Sequence, residues 1–342
     1  MKNTQVHSMI KLKSALPVFQ TAHVKDGVMM STDLDRIIRS KTELSDGLYR
    51  IIGGKFLPSP IDVDEFPLDS HKYGATIKLS MDRIGIKRLL SCSSMDETRY
   101  VLMGICLVIH EGGITAVATD GRRLAVCEWE CKTFKSMYGE YILPHQGKAN
   151  SHPFFMLMKD KKRNDITLQL SKDKDCIRLD NGEQSIDTKL VGGKYPNYKH
   201  VIPLAQDGML CFDRDAMIQA LKDSLPYLHE KGESIRMALG DDELTLTIDN
   251  VMDDLHYSAS VTVSYIRKPH VNEGEKPLEA LIFNPEYMLC LMEQPGEVVY
   301  IEYLDELSPM VIGSALSNPQ SSSVTQQIDR GYVSVLMPMM VA

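Results

Sequence analysis

Apolar and polar residues alternate on both sides of a tight turn at three places along the chain. The segments are Ala22–Leu34 (AHVKDGVMMSTDL), Leu107–Leu124 (LVIHEGGITAVATDGRRL) and, with a weaker pattern, Ile235–Asn250 (IRMALGDDELTLTIDN). A period of two that resumes across Asp-Gly or Gly-Gly predicts a β-hairpin with one buried face, because successive strand side chains point to opposite sides. Three hairpins of one design predict three related domains. Two segments carry a helical period instead. Met81–Cys92 (MDRIGIKRLLSC) turns Ile84, Leu89 and Leu90 inward and Arg83, Lys87 and Arg88 outward, and Asp213–Leu225 (DRDAMIQALKDSL) turns Ala216, Met217, Ala220 and Leu221 inward.

An aromatic-Pro pair recurs in Asp64–Leu68 (DEFPL) and Gly193–Tyr198 (GKYPNY), each followed by a strand and then one of those helices. Boundaries are therefore expected near residues 75 and 205, giving domains 1–75, 76–205 and 206–342. The pattern predicts α+β domains of mostly antiparallel strands. The first is reduced: strand Met9–Lys13 leads straight into Leu16–His23 with no helical segment between, and Asp46–Pro58 reads as strands around Gly53-Gly54. A domain this small buries proportionally little surface and is expected to lean on its neighbours.

At 342 residues the chain suits two or three domains, and 43% hydrophobic with 25% charged residues is a globular balance. The longest apolar runs, such as Val101–Ile109, are of strand length and too short to span a bilayer. Met1–Leu12 lacks the apolar core of a secretory signal, so a cytoplasmic location is expected. Seven cysteines, an odd number in mostly apolar surroundings, predict buried reduced thiols. The short pair Cys127 and Cys131 lacks the second pair a zinc site needs, so no metal is expected. A net charge of −8 excludes a protein that coats nucleic acid with its whole surface and leaves room for a basic lining on one face.

Catalytic patterns are missing. Gly112-Gly113 and Gly192-Gly193 lie between strands, without the Lys-Ser/Thr and helix of a phosphate loop, and Asp241-Asp242-Glu243 occupies a hairpin turn. Ala118–Leu124 (ATDGRRL) can be read as an active-site loop, but a turn explains it: Asp120 accepts backbone N–H bonds and Gly121 takes the left-handed corner. No enzyme activity and no cofactor are expected.

Five segments in order, Arg99–Leu107 (RYVLMGICL), Ala118–Val126 (ATDGRRLAV), Gly193–Pro203 (GKYPNYKHVIP), Asn284–Leu291 (NPEYMLCL) and Val335–Met339 (VLMPM), resemble the signature segments of the bacterial beta clamp, the beta subunit of DNA polymerase III. The resemblance covers residues 76–342. It implies three structurally similar clamp domains with antiparallel sheets outside and helices facing a pore, and a head-to-tail homodimer that encircles double-stranded DNA without reading its sequence.

It also implies a shallow apolar pocket that captures peptide motifs of the DNA polymerase and the clamp loader. Matching positions are Leu102, Thr119, Gly121, Arg122, Arg123, Leu124, Pro203, Val335, Met337, Pro338 and Met339. The implied DNA-facing positions are Arg83, Lys87, Arg88, Arg99, Tyr100, Lys148, Lys159, Lys161, Lys162, Arg214 and Lys222. Where the family has basic residues after the position of Pro144, this chain has His145-Gln146. The reduced first domain opens a second reading, a clamp-derived peptide-binding module or decoy that no longer forms a closed ring.

Overall fold

The structure is a computed structural model that describes residues 17–52, 55–60, 71–145, 152–158, 164–203, 206–228, 234–250, 255–267, 278–292, 296–314 and 332–339. The expected strand Met9–Lys13 and the segment Asp64–Leu68 lie outside those residues. The chain divides into two compact units. The first holds residues 1–83, 106–114 and 129–194, and the second residues 84–105, 115–128 and 195–342.

The first unit carries an antiparallel sheet of nine strands among the described residues. Their order is Lys55–Pro58, Gly47–Ile52, Ala22–Lys25, Val28–Thr32, Arg36–Lys41, Gln184–Lys189, Cys176–Asp180, Asn164–Ser171 and Tyr73–Met81. The first expected hairpin is present, with His23 opposite Met30 and Lys25 opposite Val28. Its two-residue loop has positive φ at both Asp26 (52°) and Gly27 (73°), the turn whose twist matches that of the flanking strands. Ala22, Val24 and Met29 are fully buried on its inner face. Asp46–Pro58 also folds as paired strands, with Tyr49 opposite Pro58. Asp187, almost fully buried, accepts from Arg178 Nε at 2.6 Å and Nη2 at 2.7 Å and from Arg39 Nη1 at 2.6 Å. One carboxylate thereby ties together three neighbouring strands.

In the second unit the strand order is Arg123–Glu130, Tyr332–Leu336, Met310–Ser314, Val298–Tyr303, Gly208–Asp213, Leu255–Arg267, Glu243–Asn250, Ile235–Leu239 and Ala280–Phe283. The third expected hairpin joins Ile235–Leu239 to Glu243–Asn250, with Leu239 opposite Leu244. Four α-helices stand among the described residues: α1 Arg83–Cys92, α2 Pro153–Leu157, α3 Arg214–Ser224 and α4 Pro285–Leu291. Asp213 caps α3 by accepting the Ala216 N–H at 2.7 Å. Asn284 caps α4, with Pro285 at its first position, where a missing N–H costs nothing. No helix among the described residues is long and apolar enough to cross a membrane.

Both helix phases need correction. In α1 Gly85, Ile86, Arg88, Leu89, Leu90 and Cys92 are buried, whereas Ile84 is 36% exposed. The buried positions take up more than half of the helix circumference, so the exposed arc holds Ile84 and Lys87 rather than every charged residue. Arg88 is fully buried. It donates from Nη2 to Val126 O at 3.3 Å and to Cys127 Sγ at 3.4 Å. In α3 Met217, Ala220 and Leu221 are buried as expected, and Ala216 faces out.

The seven thiols are free: Cys92, Cys106, Cys127 and Cys176 are buried, and Cys131, Cys211 and Cys290 partly so. Burial pushes the Cys92 and Cys106 thiols up to about 12, which makes them poor nucleophiles.

Candidate functional site

The second unit contains a cavity of about 150 Å³, lined by Leu102, Thr119, Gly121, Arg122, Arg123, Leu124, Pro196, Asn197, Tyr198, Val201, Val335 and Met337. Four separate stretches of chain build it, and each is fixed by local chemistry. Leu102 ends a 3₁₀ turn, Glu97–Leu102, whose start is capped by Asp96 accepting the Thr98 N–H at 3.0 Å. The same Asp96 holds Arg99 at 3.1 Å, and Arg99 Nη1 reaches Asp120 O at 3.1 Å.

Residues 119–123 form the corner expected from the sequence. Asp120 Oδ1 accepts the N–H groups of Arg122 (2.9 Å) and Arg123 (3.0 Å), and its Oδ2 binds Arg123 Nε at 3.0 Å. Thr119 Oγ1 donates to Arg123 O at 2.7 Å and accepts the Gly121 N–H at 3.1 Å. Gly121 sits at φ 87°, where an L side chain is strained. The corner is therefore a self-bonded turn, and Asp120 is structural. The Arg123 guanidinium also lies 4.3 Å over the Tyr287 ring, and Arg122 Nη1 donates to the Tyr287 hydroxyl at 3.2 Å.

Strand Tyr332–Leu336 pairs with this corner's outgoing strand, placing Val335 opposite Leu124. The chain then leaves the sheet, with the Met337 N–H on Arg122 O and the Met339 N–H on Ile282 O, both at 2.9 Å. Met337 is 37% exposed at the cavity edge. Opposite the corner, Tyr195 is buried and its hydroxyl accepts the Thr119 N–H at 3.1 Å. That bond anchors the segment that presents Pro196, Asn197, Tyr198 and Val201, the last two in a 3₁₀ turn. The result is an apolar floor of Leu102, Leu124 and Val335, with flexible or aromatic side chains around it and arginines on the rim.

Eight of the eleven expected pocket residues line this cavity. Pro203, Pro338 and Met339 are described but not among its lining residues. Pro196, Asn197, Tyr198 and Val201 were missed, although they lie in a segment already singled out. Tyr287, which fixes both arginines, was missed as well. The signal was present in Asn284–Leu291, where a tyrosine three residues after a helix cap projects from the first turn.

The expected DNA-facing residues are not gathered by any described contact. Lys87, Tyr100 and Lys222 are exposed. Arg83 stacks 3.9 Å over Phe155, Arg99 is held by Asp96, and Arg214 is paired with Asp215 at 2.9 Å. Arg88 is removed from the set, because its burial puts it out of reach of a phosphate. Lys148, Lys159, Lys161 and Lys162 lie outside the described residues.

Comparison with known proteins bears on the family resemblance and the fold. Residues 80–197 match the family described as DNA polymerase III beta subunit, central domain. The chain is 28% identical over 262 residues to the beta sliding clamp of Chlamydia pneumoniae, covering 75% of this chain and 67% of that protein. It is 25% identical over 312 residues to the beta sliding clamp of Pseudomonas putida, covering 89% and 77%. The match to the Chlamydia trachomatis clamp covers only 57% of that relative's length. In fold it is similar to the DNA polymerase III subunit beta of Pseudomonas aeruginosa, with a TM-score of 0.75 at 22% identity over 98% of this chain and 96% of the other. The Thermotoga maritima beta subunit gives 0.76 at 17% identity over 100% and 96%. The central-domain match and these relatives make the chain similar to the bacterial DNA polymerase III beta subunit, the sliding clamp, and the solved structures show that it has that protein's fold.

Proposed function

We propose that this protein is a DNA sliding clamp, a processivity factor that encircles duplex DNA and tethers a DNA polymerase and other replication or repair proteins through the cavity beside Arg122. No bond is made or broken in this role. The observation that carries the reading is the cavity itself: four stretches of chain, each held by its own hydrogen bonds, converge on a small apolar floor of the size that anchors one or two large side chains. A short extended peptide with a Gln and two large apolar residues is expected to bind with a Kd of roughly 1 μM, about −8 kcal/mol. DNA would be held through phosphates without base readout. Lys87 on α1, Lys222 on α3 and Tyr100, all exposed, are proposed to face it.

The strand-helix-three-strand order supports three domains at 1–75, 76–205 and 206–342. It occurs twice between Tyr73 and Lys189 and twice between Gly208 and Leu336. Residues 17–60 hold five strands and a 3₁₀ turn, with no α-helix among the described residues. That observation keeps a second reading in play, a peptide-binding module that forms no ring. Light scattering at micromolar concentration separates the two. A mass of twice 38.5 kDa supports the head-to-tail homodimer. A monomer at every concentration, still able to bind peptide, supports the module.

A further inference from the structure

The sheet of the first unit has a buried side and an outward side, and the outward side changes character across its width. Ala22, Val24, Met29 and Ile38 are fully buried on one side. Register puts Lys25, Val28, Met30, Arg39 and Lys41 on the other, with Lys25 opposite Val28, Val28 opposite Lys41 and Met30 opposite Arg39. Arg50 faces the same way, because its neighbour Tyr49 pairs with Ala22, and so does Ile37, opposite Asp187. Farther across the sheet this side continues through Ser185, Asp187, Arg178, Gln169 and Thr76, all polar. Between residues 22 and 52 it carries instead a line of Val28, Met30 and Ile37, the first and last only half-buried. The two parts also treat charge differently. Asp187 takes both Arg39 and Arg178 at 2.6 Å, and Lys189 Nζ bonds Asp35 Oδ1 at 3.3 Å. Among the described residues Lys25, Lys41 and Arg50 have no ion pair, and the Arg50 Nε is buried without an acceptor. Burial has stripped that nitrogen of water with no hydrogen bond in exchange, a cost that an incoming acceptor removes.

We propose that this side of strands 22–52 docks an acidic amphipathic helix of a partner protein. A sheet side with an apolar line is covered by a second layer, and residues 17–60 supply no α-helix among the described residues. Strands lie about 4.8 Å apart, and a helix with its side chains is about 10 Å across. A helix laid along Val28–Thr32 therefore sets its apolar stripe on Val28, Met30 and Ile37, with Lys25 and Arg50 on one flank and Lys41 on the other. Carboxylates bordering the stripe meet all three cations. A nucleic-acid strand fits less well. Tyr49 is the single Phe, Tyr or Trp between residues 22 and 52, and it is buried on the opposite side, so no such ring is there to stack a base. None of these residues lines the cavity beside Arg122, so this docking does not depend on the peptide-binding reading.

The test is fluorescence anisotropy on the full chain with three labelled helical peptides: one with a leucine stripe bordered by Glu, the same peptide with Gln for Glu, and a scrambled form of the first. Wild type should bind the Glu peptide about tenfold tighter than the Gln peptide, the scale of three exposed ion pairs together, and should bind the scrambled form no better than the Gln peptide. The difference should vanish in the triple variant Lys25→Gln, Lys41→Gln, Arg50→Gln, shown to be folded by circular dichroism, and should persist in Leu124→Asp, which spoils the cavity floor. Equal binding of the Glu and Gln peptides, or of the Glu and scrambled peptides, would overturn the proposal and leave the cavity reading intact. Loss of binding in Leu124→Asp would place the peptide in the cavity and overturn it as well. Displacement by a short oligonucleotide would make the face a phosphate contact. A dimer mass that falls to a monomer in the triple variant would give the face to a second copy of this chain. Either result would overturn the assignment to an acidic helix.

Discussion

Two corners of this chain, Thr32–Arg36 and Thr119–Arg123, share nearly every bond and have different neighbours. In the first, Thr32 Oγ1 donates to Arg36 O at 2.8 Å and accepts the Leu34 N–H at 2.9 Å. Asp33 accepts the N–H groups of Asp35 (3.2 Å) and Arg36 (2.8 Å) and pairs with the Arg36 guanidinium at 2.7 Å. The second repeats this with Thr119, Asp120 and Arg123. Both turn through a left-handed residue, Leu34 at φ 75° and Gly121 at φ 87°. A Thr-Asp corner is therefore a way of ending one strand and starting the next, and it carries no function by itself. The second corner becomes a site through what surrounds it: Leu102, the Tyr195–Val201 segment, and a C-terminal strand that continues into Met337.

The largest effects should come from the shared carboxylates. Asp33→Ala and Asp120→Ala each strand two backbone N–H groups and an arginine, and each should cost about 2–3 kcal/mol in denaturant unfolding. Only Asp120→Ala should also abolish peptide binding. Equal binding by both variants would mean that the second corner is not part of the site.

Exchanging the left-handed residues should have smaller and opposite effects. Gly121→Leu forces an L side chain into positive φ and should cost roughly 1–2 kcal/mol. Leu34→Gly relieves the same strain at an exposed position, and after the entropy cost of glycine it should gain no more than about 1 kcal/mol. A loss at Leu34 would show that its side chain contributes more than its backbone costs.

Acid should separate the corners further. His152 is fully buried in the first unit, and burial, then His145 and Arg36, hold its pKa well below the ordinary value of 6.5. The unfolded chain therefore takes up a proton below pH 6.5 that the folded chain refuses. The contribution is complete above that pH and is lost as pH falls, by about 1 kcal/mol between pH 6.5 and 5.5. His152→Asn should flatten that slope in urea titrations; an unchanged slope would exclude His152 as its source. The smallest effect is expected for Lys189→Met, which gives the first corner the apolar neighbour of the second. The exposed Asp35 pair should contribute so little that stability changes by less than about 0.5 kcal/mol.

Much of this architecture was legible because it is written in short range. The Asp26-Gly27 turn, the Asp120 corner and the hairpins depend on residues a few positions apart, and their alternation survives in the sequence. The helix faces were less legible. Arg88 reads as surface because it is charged, yet the acceptors that bury it, Val126 O and Cys127 Sγ, lie 38 and 39 positions away. The cavity was partly legible: Leu124 and Val335 fell within recognisable segments. Tyr198 and Val201 are brought in by the bond from Thr119 to the Tyr195 hydroxyl, which spans 76 positions and leaves no periodic trace.

The proposed clamp is tested most directly by loading the protein on nicked circular DNA, washing in salt high enough to screen Lys87 and Lys222, and measuring retention before and after the circle is cut. Encirclement predicts that the protein stays on the closed circle at that salt and leaves after linearisation by sliding off the ends, because a topological link does not depend on counterion release. Equal loss from circular and linear DNA would contradict it and leave a peptide-binding protein that meets DNA only through its charge.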